Sequence, residues 1–283
     1  TRAEVYDRIE QLLDEGYTHL QAGGAAFSFR LGTGFAGFDT PATFAQVNRG
    51  LRARVAVYVD DFGTALTALG QSFLSTAQPL SLGVYHVYGT ASGDLTNNIL
   101  TGTPQIRANP LLIAGAQTRL NGQPDLRATT KLTTGEPATG SSGTTSITSD
   151  QHFTVYPTNT SPVAIIRNEE LILLRAEANI GLGNLAAALP DINFIRTTAG
   201  GLAPLVTLGT GDAPLDELLY NKRYSLLWEG GHSWIDYRHY GKLTDLPRQV
   251  TGGVFFNKMP FPRNECLVRD PQPAAGCTPE AGI

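Results

Sequence analysis

Two cysteines in 283 residues are too few for a zinc cluster, and Cys266 and Cys277 do not form a CxxC pair. They lie close together in a proline-rich C-terminal stretch. A bond between them would close a small loop, stabilise that stretch by about 3 kcal/mol on the chain-entropy estimate and imply an oxidising compartment. The alternative is two thiols in a frayed tail. Charge is scarce as well: 16% of residues are charged, the formal net charge is -4, and Lys and Arg form no run. A sequence-independent grip on nucleic acid needs clustered phosphate contacts, and an anionic membrane surface needs a basic patch, so neither partner is expected. No stretch approaches the roughly 20 apolar residues of a membrane helix. The chain opens on Thr1-Arg2-Ala3-Glu4-Val5, not on a basic segment followed by an apolar one, so any targeting peptide is expected to have been removed or never to have been part of this sequence. GxSxG, Walker A and CxxC motifs are missing too, which removes the nucleophile elbow, the phosphate loop of that type and the redox pair.

What the chain does have is length, apolar patterning and many loop formers. At this length about 75% of the unfolded surface can be buried without covalent staples, and the 31 Gly and 17 Pro predict a loop-rich molecule. From Arg2 to Leu20, Val5, Ile9, Leu12, Leu13 and Leu20 recur at helical spacing, with Glu4 and Asp7 at the end where the helix dipole favours acids. Thr40-Pro41 offers an N-cap with proline at the first helical position, predicting a second helix to about Val59.

Two distant segments align without gaps: Leu51 to Leu66 on Leu174 to Leu189. Each reads as a helix, a short turn and a second helix that opens [Asp/Asn]-[Phe/Leu]-x-x-Ala-Leu, with Ala65 and Ala188 small enough for close helix approach. This is the mechanics of a tetratricopeptide-type hairpin. Two copies are fewer than a solenoid needs, so other helices must pack beside them. The expected organisation is a single domain over 1–283, mainly α, with tetratricopeptide-like helix pairs at about 41–75 and 166–198. An irregular, partly β, loop-rich insert covers about 78–162, and a Pro-rich extended tail covers about 247–283. Within the insert, Val84-Tyr85-His86-Val87-Tyr88 is β-prone, while the Thr/Gly/Ser-rich run from Thr133 to Ser149 is expected to be a mobile surface loop. Pro214 to Trp228 reads as a further helix.

Three segments then resemble one family. Ile166-Arg167-Asn168-Glu169-Glu170-Leu171-Ile172-Leu173-Leu174-Arg175-Ala176-Glu177-Ala178, with Asp191-Ile192-Asn193-Phe194-Ile195-Arg196 after it, looks like the signature of the SusD/RagB outer-membrane lipoproteins. Asn221 to Arg238 resembles the family's E-R-x-x-E-L-x-x-E-G-x-R-x-x-D-L-R segment, and Pro260-Phe261-Pro262-Arg263-Asn264-Glu265 its closing P-[IF]-P-x-x-E. Lys222, Ser225 and His232-Ser233 depart from that pattern, as does Cys266, and the lipidated cysteine and N-terminal helical region of the family are missing. The chain therefore reads as the C-terminal portion of such a protein or as a divergent short form. The resemblance implies helix pairs decorated by an irregular region. It also implies capture of a nutrient, usually a glycan and sometimes a peptide, on the cell-surface side of the bacterial outer membrane. The ligand would pass to a TonB-dependent outer-membrane transporter, and the membrane would be reached only through a lipid anchor absent from this chain.

Glu169, Glu170 and Glu177 suggest a glycosidase pair only superficially. Glu169 and Glu170 point about 100° apart on a helix, Glu170 and Glu177 lie two turns apart on one face, and pairing with Arg167 or Arg175 is the simpler role. His232, Asp236 and His239 are metal-ligand types without a metal-binding pattern. Trp228, Trp234 and Tyr237 are expected to pack into the core, with Asp236 and Arg238 as an ion pair. No catalytic residue, cofactor or metal is therefore assigned. A sugar-binding surface needs exposed rings beside polar groups. The insert supplies Tyr85, Tyr88, Phe153 and Tyr156, with Asn97, Asn98 and His152 as polar partners. The competing reading is that all four rings pack the insert against the helices. For the whole chain the alternatives are a helical-repeat scaffold for a peptide or protein partner, or a hydrolase with an unrecognised site.

Overall fold

In a computed structural model, residues 1–99, 106–142, 145–249, 255–259 and 261–268 are described. The chain is mainly α, with helix pairs of tetratricopeptide type. The helices are α1 (Arg2–Gln21), α2 (Pro41–Tyr58), α3 (Phe62–Gly70), α4 (Leu111–Ala114), α5 (Leu126–Lys131), α6 (Asn168–Gly181), α7 (Leu185–Thr198), α8 (Ala213–Ser225), α9 (His232–His239) and α10 (Arg263–Val268). Four strands, β1 (Gly83–His86), β2 (Leu132–Ser142), β3 (Thr145–Phe153) and β4 (Val163–Arg167), make two antiparallel pairs, β1 with β4 and β2 with β3.

The repeat is real at the level of helix boundaries. The first helix of each hairpin ends, and the second begins, at matched positions: Tyr58 and Phe62 in one copy, Gly181 and Leu185 in the other. Ala65 and Ala188 are both fully buried, as close helix approach requires. Thr40 caps α2, its hydroxyl accepting from the Thr43 backbone N–H, with Pro41 at the first helical position. Asp61 caps α3 in the same way through Thr64 N–H at 3.1 Å.

α6 is the central helix and is buried nearly all round, its apolar residues facing two cores and its buried Asn and Glu side chains held by partners. Leu171, Leu174 and Ala178 join the core of the first hairpin with Val57, Ala65 and Leu69. On its other side Ile172, Leu173 and Ala176 pack with Ala188, Ile192 and Leu218. Asn168, fully buried at its start, ties the approach loop down: its Oδ1 accepts from Ser75 N–H at 2.9 Å and its Nδ2 donates to Ser75 O at 2.7 Å.

The structure departs from the sequence expectations in three places. α1 forms as expected, opened by a Thr1–Glu4 capping box, yet none of its residues is buried, and Val5, Ile9 and Leu12 face solvent. Its contact with α2 is polar: Arg49 donates to Asp14 at 2.8 Å and to Leu13 O at 2.8 Å, and stacks over Tyr17. The Thr/Gly/Ser run is a β-hairpin instead of a loop, because β-branched threonines suit strands; Thr139 and Thr148 hydroxyls meet across it at 2.7 Å. The tail is not wholly extended, since it contains α10. Cys266 is in a disulfide bond, and the chain's other cysteine, Cys277, lies outside the described residues.

One glycine-rich segment needs its glycine for packing. Gly34 lies in a single 3-10 turn, and a Cβ there would come within 2.0 Å of the Tyr85 carbonyl oxygen, so the turn can press on β1 only without a side chain. Gly32-Thr33-Gly34-Phe35-Ala36-Gly37 has GxGxxG spacing, but it follows no strand and opens no α-helix, so it is not a dinucleotide cradle.

Candidate functional site

The pairing of β1 with β4, Tyr85 opposite Ala164, sets Tyr85 at the mouth of a cavity of about 240 Å³ whose walls also carry Tyr156, Lys131, Arg167, Glu169 and Glu229. Tyr85 is half-buried and its hydroxyl donates to Ser81 O. Burial raises its pKa. Tyr156 is buried, and its hydroxyl donates to Trp228 O at 3.3 Å. Burial first, and then the Glu229 charge, push this phenol up to about 12. The half-buried Tyr88 lies close enough to Tyr156 to contribute to that shift, and its ring meets His86 edge-on with centroids 4.6 Å apart. Tyr85 and Tyr88 thus keep part of their rings exposed, whereas Tyr156, expected as an open ring, is buried and forms a wall.

The other expected residues have different placements. Phe153 is buried and stacks on Trp228 with centroids 4.1 Å apart, so it forms a wall, not an open platform. Asn97 is buried, its Nδ2 donating to Ser161 O at 2.8 Å and its Oδ1 accepting from Ile99 N–H at 2.9 Å, which makes it a loop clamp. Asn98 is exposed beside it. His152 sits on the β2–β3 hairpin, where Nε2 lies 2.9 Å from Glu136 O and the ring lies against Gly135; a Cβ at Gly135 would be 2.8 Å from Nε2.

The floor of the cavity is an ionic network. Arg167, the residue before α6, donates from Nε to Glu229 Oε2 at 2.8 Å, from Nη2 to Glu229 Oε1 at 2.9 Å and to Ser225 O at 2.7 Å, and also pairs with Glu169. Lys131 reaches Ser225 O and lies 3.5 Å from Glu229. Burial would weaken the Arg167 cation, but Glu169 and Glu229 more than offset it and its pKa is raised. Burial likewise opposes the Glu169 carboxylate, but Arg167 and Lys131 hold it below its ordinary value. A glycosidase acid needs a carboxyl with a raised pKa, and Glu169 is driven the other way. Lys131, Ser225 and Glu229 escaped the sequence reading, since nothing in their local spacing marks residues that meet only through the fold.

The chain corner at Trp228 is unusual. Trp228, Gly230 and Gly231 all have positive φ, 65°, 55° and 74°, and a bulky residue in that region is strained. The expected Asp236–Arg238 pair is not formed. Asp236 instead bonds Lys222 at 2.7 Å, and Lys222 bonds Glu177 at 2.8 Å, all three buried. Arg238 stacks over Trp234 and donates to Asn257 O at 3.3 Å. Glu170 pairs with Arg54 at 2.6 Å and Arg175 with Asp191 at 2.6 Å. Among the described residues no group of three His, Cys, Asp or Glu side chains could hold a metal ion, and no helix is long and apolar enough to cross a membrane.

No protein-family model matches this sequence, and no curated protein does either. Solved structures do. A SusD-like protein from Bacteroides fragilis is 14% identical with a TM-score of 0.56, over 85% of this chain and 60% of that one. Surface glycan-binding protein A from Bacteroides uniformis is 14% identical with a TM-score of 0.54, over 86% and 59%. A SusD-like carbohydrate binding protein from Bacteroides fragilis is 15% identical with a TM-score of 0.54, over 82% and 58%. This chain spans 58–60% of the length of those structures. It has the SusD-like fold.

Proposed function

We propose that this chain belongs to a nutrient-binding protein on the cell-surface side of the bacterial outer membrane, which captures a glycan and delivers it to a TonB-dependent transporter without cleaving it. Its two hairpins, insert and tail act as one unit, tethered through a lipid anchor outside this sequence. The observation that carries the reading is the SusD-like fold bearing the half-buried rings of Tyr85 and Tyr88, with the buried Tyr156 behind them. Sugar C–H faces stack on such rings while hydroxyls exchange hydrogen bonds with polar neighbours, here Lys131 and the Arg167 network. The neutralised carboxylates of that network support binding in preference to hydrolysis.

A second reading, a helical scaffold for a peptide or protein partner, is favoured by α1, whose Val5, Ile9 and Leu12 present an apolar stripe to solvent. An array of immobilised oligosaccharides and peptides probed with the purified chain separates the two. Retention on glycans and not on peptides supports capture of sugar; retention on peptides alone replaces it with the scaffold.

A further inference from the structure

A second cavity, of about 440 Å³, lies on the other side of the Trp228–Glu229 corner, walled by both tryptophans of the chain, Phe255, Leu227, Arg223 and Ser233. Its volume falls in the range of about 300–1,000 Å³ typical of small-molecule sites. The Trp228 indole N–H is buried below the cavity surface with no acceptor among the described residues, whereas the Trp234 indole donates to Phe256 O at 3.0 Å. Arg223 donates from Nη2 to the Tyr237 hydroxyl and its guanidinium lies over the Tyr237 ring, 4.7 Å from the centroid, while no carboxylate among the described residues forms an ion pair with it. The acids near Tyr237, Asp216 and Asp245, are held by Lys242. Glu229, the one carboxylate in the wall, is already paired with Arg167 and Lys131. The cavity therefore offers aromatic faces and one guanidinium that no carboxylate among the described residues pairs. A ligand carboxylate is a strong charge-assisted partner for such a cation.

We propose that this cavity binds one carboxylate-bearing sugar ring, a hexuronic acid unit of an acidic glycan, with the ring against the indoles and the carboxylate on Arg223. The choice of a sugar rests on the glycan reading above; the place and the charge rest on the cavity alone. Because both tryptophans line it, indole emission reports directly on its occupancy.

The test titrates the full chain with D-glucuronic acid, D-glucose and acetate, following tryptophan emission, and repeats it on Arg223→Gln and Trp228→Phe. The expected result is a saturable change with glucuronic acid, at least tenfold tighter than glucose, a difference of about 1.4 kcal/mol. Acetate should give no comparable change, and binding should weaken with added salt. Arg223→Gln should bind glucuronic acid about tenfold more weakly and leave glucose unchanged. Trp228→Phe, which puts a smaller ring in the wall, should weaken both sugars. Circular dichroism checks that each variant is folded, and the wild-type comparison of the three probes stands without them. Equal responses to glucose and glucuronic acid, or to acetate and glucuronic acid, would overturn the proposal. So would neutral glycans binding on the array while glucuronic acid leaves emission unchanged, a result that keeps the glycan reading. Silence toward every glycan would overturn both.

Discussion

Two cavities meet at the Trp228–Glu229 corner, and each contains an arginine in its wall. In the smaller one Arg167 is enclosed by Glu169 and Glu229 and bonded to the Ser225 carbonyl. In the larger one Arg223 has Tyr237 alone, donating to its hydroxyl and lying over its ring, with no carboxylate partner among the described residues. The same residue type is a structural strut in one place and an unused receptor in the other. A charge's role follows from whether its hydrogen bonds are already made, not from its presence in a pocket.

Removing the two arginines in turn should have unequal consequences. Arg167→Met leaves Glu169 and Glu229 without their main partner, and uncompensated buried charges of this kind cost about 3–5 kcal/mol. A urea denaturation midpoint barely changed from wild type would show that Arg167 is no strut. At the ring-lined edge, Tyr85→Ala is expected to weaken the strongest glycan from the array by about 1–3 kcal/mol, the scale of a lost aromatic contact, measured by calorimetry. Undiminished affinity would move the sugar site away from that edge.

A further buried charge sharpens the contrast through pH. Asp236 bonds Lys222 through Oδ1 while its buried Oδ2 has no donor. Burial pushes this carboxyl up to about 6, against the pull of Lys222. The unfolded value is about 3.9, so the folded state takes up the proton first and this group adds stability as pH falls from about 6 toward 4. Glu169 and Glu170 act oppositely: their lowered values add stability above the usual carboxylate range, and that stability is lost as pH falls through it. Asp236→Asn removes only the first effect. Wild type should therefore gain on the variant by about 2 kcal/mol between pH 7 and pH 4; a pH-independent difference in denaturation free energy would contradict the assignment. The smallest effect is expected from Arg223→Gln, which strands no carboxylate and should shift stability by less than about 1 kcal/mol. A loss as large as that of Arg167→Met would erase the distinction between the cavities.

The helical frame was legible because its signals are local. Thr40-Pro41, the matched hairpins and the buried Ala65 and Ala188 all follow from spacing and residue size. α1 shows the limit of such signals, since its apolar stripe predicts a helix but not that the stripe faces water. The candidate site was only partly readable. Aromatic content pointed to Tyr85, Tyr88, Phe153 and Tyr156, but Tyr156 is buried and Phe153 is a wall because Trp228, 75 positions away in the chain, stacks on it. The Arg167–Glu229 bond and the Lys222–Glu177 bond, which separate strut from receptor, join residues 62 and 45 positions apart. Periodicity carries no information at that range.

The central claim is that this fold binds sugar and leaves it intact. Calorimetric titration of the chain with the strongest glycan from the array, with the recovered ligand then checked by chromatography, tests it most directly. A saturable heat of binding with the glycan recovered uncleaved is the predicted result; no heat from any glycan, or shortened products, would contradict it.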